Sequence, residues 1–379
     1  MKIFSGLCPA PPHWDVPWPE IREAFGWVRA LTGVEQDPVH HAEGDAEIHT
    51  RMACEALAAL PEWRARPEDE RVRLFATVLM HDVAKPYCTQ HIDGRITAHG
   101  HSRRGDLMVR RILWELEAPP EWREHVAALV RHHQVPFWAL ERPDLQRIAF
   151  RVSLLARNDD LVILAKADIL GRICGDLPEV LENIALYEEY CAEQRCLDGP
   201  RPFPSDHARF WYFRTPGRDP DYDAYDDTRL TATVMSGLPG SGKDTWISAN
   251  RPGLPVVSLD RIRAQLGVRP SGDQRAVAAA AYSEAREHLR AGRSFVWNAT
   301  NTSRQLREHC TALVAGYRGR VDIVALEAPP RLLRASNRGR PSPVPDAVIE
   351  RLAARWELPD PTEGHTVTWL SRGAARSGG

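Results

Sequence analysis

The segment Gly237-Leu-Pro-Gly-Ser-Gly-Lys243-Asp244-Thr245 follows an apolar run and opens a helical one. Glycines in that setting let consecutive backbone N–H groups turn toward one anion, and a helix N-terminus adds positive potential. Gly237, Gly240, Ser241 and Gly242 would wrap phosphate oxygens, with Lys243 reaching the terminal ones. The pattern predicts a site for ATP or another nucleoside triphosphate with Mg²⁺. One position departs from the usual pattern: Asp244 stands where a Ser or Thr hydroxyl ordinarily meets the metal, and Thr245 follows it. A bare carboxylate about 4 Å from a phosphate charge costs on the order of 4 kcal/mol at an effective dielectric near 20. Asp244 is therefore expected to face Mg²⁺, directly or through water; the alternative is that it turns away and caps the loop.

Asp260 lies in Val-Ser-Leu-Asp-Arg-Ile-Arg, at the end of a second apolar strand. Ligand groups of open parallel sheets gather at that edge. A carboxylate there can accept the proton of an attacking hydroxyl, or it can cap the following helix. Arg263 is one turn along and could grip a phosphate. Further on, Arg331, Arg334, Arg338 and Arg340 precede a proline-rich stretch and read as a lid that neutralises charge developing during transfer.

The first half of the chain carries a different set: His49, His81-Asp82, His101, His132-His133 and Asp168. Imidazoles and carboxylates from separate helices suit one or two divalent transition metals and leave room for water. A water so bound ionises near pH 7 and becomes a nucleophile. Asp159 and Asp160 compete with Asp168 but sit in a turn-like Arg-Asn-Asp-Asp setting, and His40, His41 and His99 are expected to have no ligand role. Only four of the 49 basic residues are lysines, and Lys85 and Lys243 lie inside these motifs. A compact ammonium differs from a guanidinium in what it can do, so their retention hints at chemistry.

The elements that must hold these residues change character along the chain. Apolar residues recur at three- and four-residue spacing from about Ala46 to Gln194, which predicts an all-α region within 1–200. Residues 201–228, rich in Pro, Asp and aromatics, read as a linker, ordered because Phe210 to Phe213 need something to pack on. Over 229–366, short apolar strands alternate with helices, which predicts an α/β domain with a parallel sheet. Residues 367–379 read as a disordered tail. The net charge of −2 conceals an asymmetry, with +9 from Arg229 onward and −11 before it. The basic half could hold a polyanion. No apolar run reaches the length of a membrane helix, no secretory leader is evident, and the seven cysteines show no CxxC. A cytoplasmic enzyme is the expectation, without disulfide framework or cysteine zinc site.

The phosphate loop, Ser-x-Asp-x-x-Arg, Trp297–Asn301 (WNATN) and the Arg-rich lid together resemble the 5′-hydroxyl polynucleotide kinases related to the phage end-healing enzyme, over about residues 229–365. That resemblance implies that Lys243 binds the β- and γ-phosphates. It makes Asp260 the general base on a 5′-OH and Arg263 the contact to a neighbouring substrate phosphate. Arg338, with Arg334 or Arg340, would touch the donor. The phrase LMHDVAKP, with IHT before it and HGHSRRG and KADILGR after it, resembles the HD phosphohydrolase superfamily, an all-α fold. This second resemblance implies a primary metal site of His49, His81, Asp82 and Asp168. Asp82 would bridge to a second metal held by His101 and His132, with His133 competing for that place. Lys85 would contact phosphate, with Arg103 and Arg104 as further contacts.

The two together resemble the bacterial HD-domain polynucleotide kinases, which heal RNA ends. They imply nucleic acid ends, RNA above all, as substrate and a ligase acting downstream. A salvage enzyme pairing a nucleotide phosphohydrolase with a small-molecule kinase is the alternative.

Overall fold

In a computed structural model of the chain, residues 2–269, 272–340 and 342–373 are described. The chain divides into two compact units, 1–202 and 203–379.

After short N-terminal helical turns, the first unit is built from α1 (Ala46–Ala59), α2 (Glu68–Met80), α3 (His101–Glu115), α4 (Pro120–His132), α5 (Leu145–Ser153), α6 (Asn158–Leu170) and α7 (Leu177–Glu193). Asp45 caps α1, accepting from the Ile48 N–H at 2.9 Å. Three acidic residues fill the first turn of α2, where the helix dipole favours them. Helix α6 is apolar on nearly every side, with Leu161, Val162, Leu164, Ala165 and Ile169 all buried. Such a helix belongs at a core, and it packs against α1, α2, α4 and α7. Gly171, just past its end, lets it abut α1: a Cβ there would stand 2.5 Å from the Ala53 nitrogen. That close approach brings the last turn of α6, with Asp168, against the face of α1 that carries His49.

The helical reading of this unit holds except for a small antiparallel hairpin, β1 (Gln90–Ile92) and β2 (Arg95–Thr97). Its turn is Asp93-Gly94, both at positive φ, the dipeptide a two-residue hairpin turn favours.

The second unit opens with α8 (Asp206–Arg214), capped by Ser205. Residues 201–228, read from the sequence as a linker, thus contain a helix, and Phe210 is part of the second unit's core. The amphipathic sequence and its Ser cap account for this. Next come β3 (Leu230–Ser236), α9 (Lys243–Asn250), β4 (Val256–Ser258), α10 (Leu259–Gln265), α11 (Arg275–Arg290), β5 (Phe295–Asn298), α12 (Arg304–Gly316), β6 (Gly319–Glu327), α13 (Pro330–Arg338), α14 (Asp346–Ala353) and β7 (Thr366–Ser371). The sheet is parallel throughout, in the order β4-β5-β3-β6-β7. Residues 367–371 correct the tail reading: they form most of β7, paired with β6 from Asp322↔Thr366 to Glu327↔Ser371. Thr-Val-Thr-Trp-Leu-Ser is a β-prone sequence, and the edge of the sheet satisfies its backbone. Residues 374–379 of that tail lie outside the described residues.

Candidate active sites

In the first unit, six side chains from separate elements converge. His49 comes from α1, His81 and Asp82 from the end of α2, His101 from the start of α3, His133 from the end of α4, and Asp168 from α6. All six are buried. His49 Nε2 is 3.2 Å from both His81 Nε2 and Asp168 Oδ1. Asp82 Oδ2 lies 3.1 Å from His81 Nε2, and its Oδ1 lies 3.4 Å from His101 Nε2. His101 and His133 face each other through their Nε2 atoms at 3.3 Å. Asp82 therefore stands between a His49–His81–Asp168 group and a His101–His133 group.

The other ring nitrogens explain this geometry. His81, His101 and His133 each place Nδ1 within 2.7–2.8 Å of the carbonyl three residues back, of Val78, Ala98 and Val130. A carbonyl only accepts, so Nδ1 carries the proton and the Nε2 lone pair of a neutral ring is left bare. Bare lone pairs facing each other across 3.3 Å, beside the unpartnered buried oxygens Asp82 Oδ1 and Asp168 Oδ2, are the donor set of a cation site. Among the described residues three groups have ligand atoms close enough to share an ion: His49–His81–Asp82 and Asp82–His101–His133 within the cluster, and His41–Glu43–His49 beside it, which includes His41 although the sequence reading gives it no ligand role. The residues present fit one or two divalent metals.

The electrostatics favour the ligand forms of Asp82 and His133, whereas at His81 burial is outweighed by the charge of Asp82, which raises the imidazole. Burial alone would raise the Asp82 carboxyl, but the charges of His81 and Lys85 outweigh it and hold the group well below the usual carboxylate range. Burial, reinforced by the charges of His101 and His81, pushes His133 down to about 3 and keeps it neutral. Lys85 Nζ reaches Asp82 Oδ2 at 2.7 Å and is held from the other side by Gln36.

Of the competing pair, His133 enters the cluster. His132 is one residue away on the helix, hence about 100° around it, and is half-buried outside the cluster. The second-metal assignment to His132 is corrected on that ground. Asp159 pairs with Arg66 and Arg157, and Asp160 faces His125, so neither competes with Asp168. Arg103 and Arg104 lie on the exposed face of α3, with Arg104 over the Tyr87 ring.

Three neighbours escaped the sequence reading. Arg172 donates twice to Asp168 Oδ1, at 2.9 and 2.7 Å; the i,i+4 spacing of KADILGR carried that signal. Glu43 Oε1 lies 3.1 Å from His49 Nδ1 and 2.8 Å from His41 Nδ1, and Glu43 Oε2 accepts from the Ile173 N–H. Gln36 is the third. Glu43 and Gln36 come from an irregular stretch before α1, where no periodicity marks position.

In the second unit the phosphate loop joins the C-terminal end of central β3 to α9. Gly237 cannot be replaced without moving β6, because a Cβ would stand 2.3 Å from the Leu326 carbonyl oxygen. Gly242 sits at the cap of α9 with φ +99. Lys243 folds back over the loop and donates to the Gly237 and Leu238 carbonyls at 2.9 and 3.1 Å. Desolvation brings its ammonium down to about 8. Ser241 Oγ is buried and has no hydrogen-bond partner. Asp244 Oδ1 accepts a 2.6 Å hydrogen bond from Asn298 at the end of β5. The carboxylate is thus directed at the strand edge and does not cap the loop; Thr245 is exposed beside it.

Asp260 is in the first turn of α10, and the cap of that helix is Ser258. The capping role is therefore filled, and the Asp260 side chain is 69% exposed at the strand edge. Arg263 pairs with its Oδ1 and Arg340 approaches its Oδ2 at 3.4 Å. Arg334 pairs with Glu350 of α14 at 2.7 Å, while Arg331 and Arg338 lie on the exposed side of α13. Helix α13 leans on the loop itself, for a Cβ on Gly240 would meet the Leu333 carbonyl at 2.9 Å. A residue from beyond β7 also arrives here. Arg372 donates to Ser336 of α13 at 3.1 Å and lies beside Gly242.

Residues 233–359 match the sequence model of a family described as an AAA domain. The chain is 37% identical over 114 residues to a multifunctional CCA protein of Halorhodospira halophila, covering 30% of this chain and 25% of that protein. It is 33% identical over 156 residues to an A-adding tRNA nucleotidyltransferase of Deinococcus radiodurans, covering 41% of this chain and 32% of that one. The chain thus spans about a quarter to a third of the length of these curated relatives. A protein from Chloroflexus aurantiacus solved as a candidate kinase aligns at 20% identity with a TM-score of 0.31, over 38% of this chain and 86% of that one. That likeness is too distant to bear on the site. With the geometry above, the chain combines a helical unit with an α/β domain built on a phosphate loop and a parallel sheet. No helix among the described residues is long and apolar enough to cross a membrane.

Proposed function

We propose that this chain heals RNA ends. The helical unit is an HD-type phosphohydrolase acting on 2′,3′-cyclic phosphate and on 2′- or 3′-phosphate ends. The P-loop domain transfers the γ-phosphate of a nucleoside triphosphate to a 5′-OH end. The observation that carries this reading is the convergence of bare imidazole Nε2 atoms and two carboxylates in a unit separate from the phosphate loop and Asp260. One chain then holds two phosphate chemistries, and the two ends left by a ribonuclease need both. A relative named for work on tRNA is in keeping with an RNA substrate. The 3′-OH and 5′-phosphate so produced suit a ligase acting next.

In the helical unit, His49, His81, Asp82 and Asp168 would hold one metal, and Asp82, His101 and His133 a second. Bound there, divalent metals supply an ionised water and neutralise phosphate charge. The chain's own part is to fix the Nε2 lone pairs through the Nδ1 contacts and to hold Asp82 ionised beside Lys85. In the P-loop domain, loop N–H groups and Lys243 bind the donor phosphates. Asp260 takes the proton of the 5′-OH, Arg263 orients the acceptor, and Arg334, Arg338 and Arg340 close over the donor.

The test supplies labelled ATP with a 5′-OH oligonucleotide, and separately with free nucleosides. Labelling of the oligonucleotide alone is expected, and labelling of nucleosides alone would point instead to salvage. Hydrolysis should follow the donor chemistry of the cluster. Imidazoles favour transition metals over oxygen-loving Mg²⁺. Chelator-treated protein given only Mg²⁺ should leave a 2′,3′-cyclic end intact, and added Mn, Co, Ni, Cu or Zn salts should restore cleavage. Full activity with Mg²⁺ alone would remove the imidazole site from the mechanism.

Asp244 is expected to face Mg²⁺ with Asn298 setting its direction. Asp244→Ala should lower kinase turnover and raise the Mg²⁺ concentration needed for half-maximal rate. Asp244→Ser should retain more activity, and Asn298→Ala should raise the Mg²⁺ requirement while leaving the carboxylate in place. A Mg²⁺ titration that superimposes for the parent and all three variants would leave Asp244 with a role in loop structure only.

A further inference from the structure

A cavity of about 350 Å³ opens onto the imidazole–carboxylate cluster. That is the lower end of the range for small-ligand pockets, about 300–1,000 Å³, and suits a single nucleotide. Lys85, His101, Ser102 and Arg172 line it, and so does Trp138. The cationic residues and the cluster define where a phosphate goes. Trp138 raises a different question, because the residue is 44% exposed while the neighbouring Phe137 is almost fully buried.

The backbone accounts for the exposure. Trp138 lies within the 3₁₀ segment Val135–Glu141 but has non-helical dihedrals, φ −128 and ψ 28. The residue before it is fastened on both sides. The Phe137 carbonyl accepts from Asn183 at 3.1 Å, and the Phe137 ring is covered by the Arg172 guanidinium at 4.9 Å. Arg172 is itself tied to Asp168. The kink is therefore anchored to the cluster through Phe137 and Arg172, and it presents a flat apolar surface to the cavity. An exposed indole has no hydration advantage there. A ligand with an anionic head and a flat aromatic end matches both features.

We propose that Trp138 is a stacking platform for the base of the terminal nucleotide whose phosphate enters the cluster. This rests on the phosphohydrolase reading above and deepens it. The substrate is a phosphorylated nucleotide end, recognised by its base through stacking, which tolerates any base because each presents a π-face. Acidic Glu35, Asp37 and Asp176 also line the cavity and offer acceptors for sugar hydroxyls.

The test uses the full chain, metal-loaded, with a saturating non-hydrolysable ATP analogue to occupy the other nucleotide site. Binding of adenosine 3′-monophosphate and of glycerol 2-phosphate, each as its non-hydrolysable methylene phosphonate, is measured by calorimetry for the parent, Trp138→Ala and Trp138→Phe. A stacked base should make the nucleotide bind roughly 5- to 150-fold more tightly than the base-free ester in the parent. Trp138→Ala should lose that advantage with glycerol 2-phosphate binding unchanged, and Trp138→Phe should keep most of it. Equal nucleotide affinity in the parent and Trp138→Ala overturns the proposal, as does a parent that binds both esters alike. Phosphate release from both esters by the parent is followed in parallel. Absence of release from both overturns the phosphohydrolase reading itself, whatever the binding data show about Trp138.

Discussion

On the proposed function, Asp260→Ala is expected to lower phosphoryl transfer to a 5′-OH end by roughly 10²–10⁴-fold, the usual worth of a positioned general base. End-phosphate hydrolysis should stay at the parent rate. The expectation follows from what surrounds the carboxylate. Ser258 caps α10, so Asp260 has no structural duty there that its loss would expose. Its exposure at the end of β4 leaves it open to an incoming hydroxyl. Arg263 and Arg340 each approach one of its oxygens, which holds the carboxylate aligned. Asp260→Asn preserves the shape and removes only the basicity, so it should fall as far as the alanine variant. The measurement is single-turnover transfer from labelled ATP. A decrease smaller than tenfold would assign Asp260 to binding. Loss of hydrolysis as well, in a folded variant, would mean that the two activities share a site.

Asp82→Asn should be as damaging to the other activity. Asp82 belongs to both ligand groups of the cluster: Oδ2 lies 3.1 Å from His81 Nε2 and Oδ1 lies 3.4 Å from His101 Nε2. It also balances Lys85 at 2.7 Å. An amide keeps the volume but supplies one neutral oxygen where two charged ones stood. Bound metal should fall below the parent stoichiometry. Cyclic-phosphate cleavage should drop by at least about 10²-fold, because water without the metal ionises near 15.7 rather than 7. Elemental analysis beside the cleavage assay reads both effects, and kinase activity is the internal control. Parent-like metal content with cleavage lost would make Asp82 a reacting group and not a ligand.

The sequence disclosed these residues to different degrees, for physical reasons. The phosphate loop was fully legible because its function lies in consecutive residues and its strand–loop–helix setting is local. The His and Asp residues were legible as a set, but their grouping was not. Whether His132 or His133 turns inward depends on the rotation of α4, which packing against α2, α3 and α5 decides and two adjacent histidines cannot. Asn298 was visible within WNATN, yet its bond to Asp244 spans 54 positions and exists only because β5 lies beside β3. Glu43 and Gln36 come from irregular chain and left no pattern to read. The segment 367–371 reads as tail for a related reason: an edge strand looks like a tail until the sheet it completes is in place.

That last strand sets an order of events during synthesis. Everything the helical unit needs, from His49 to Asp168, is contained in residues 1–202. The parallel sheet is complete only when residue 371 joins β6. At about 5–20 residues per second, the intervening stretch takes roughly 10–30 s to emerge. The helical unit can close while the phosphate-loop unit still lacks an edge of its sheet and Arg372 beside its loop. A nascent chain stalled in that interval would therefore have its imidazole–carboxylate cluster assembled before its phosphate loop had a finished sheet behind it.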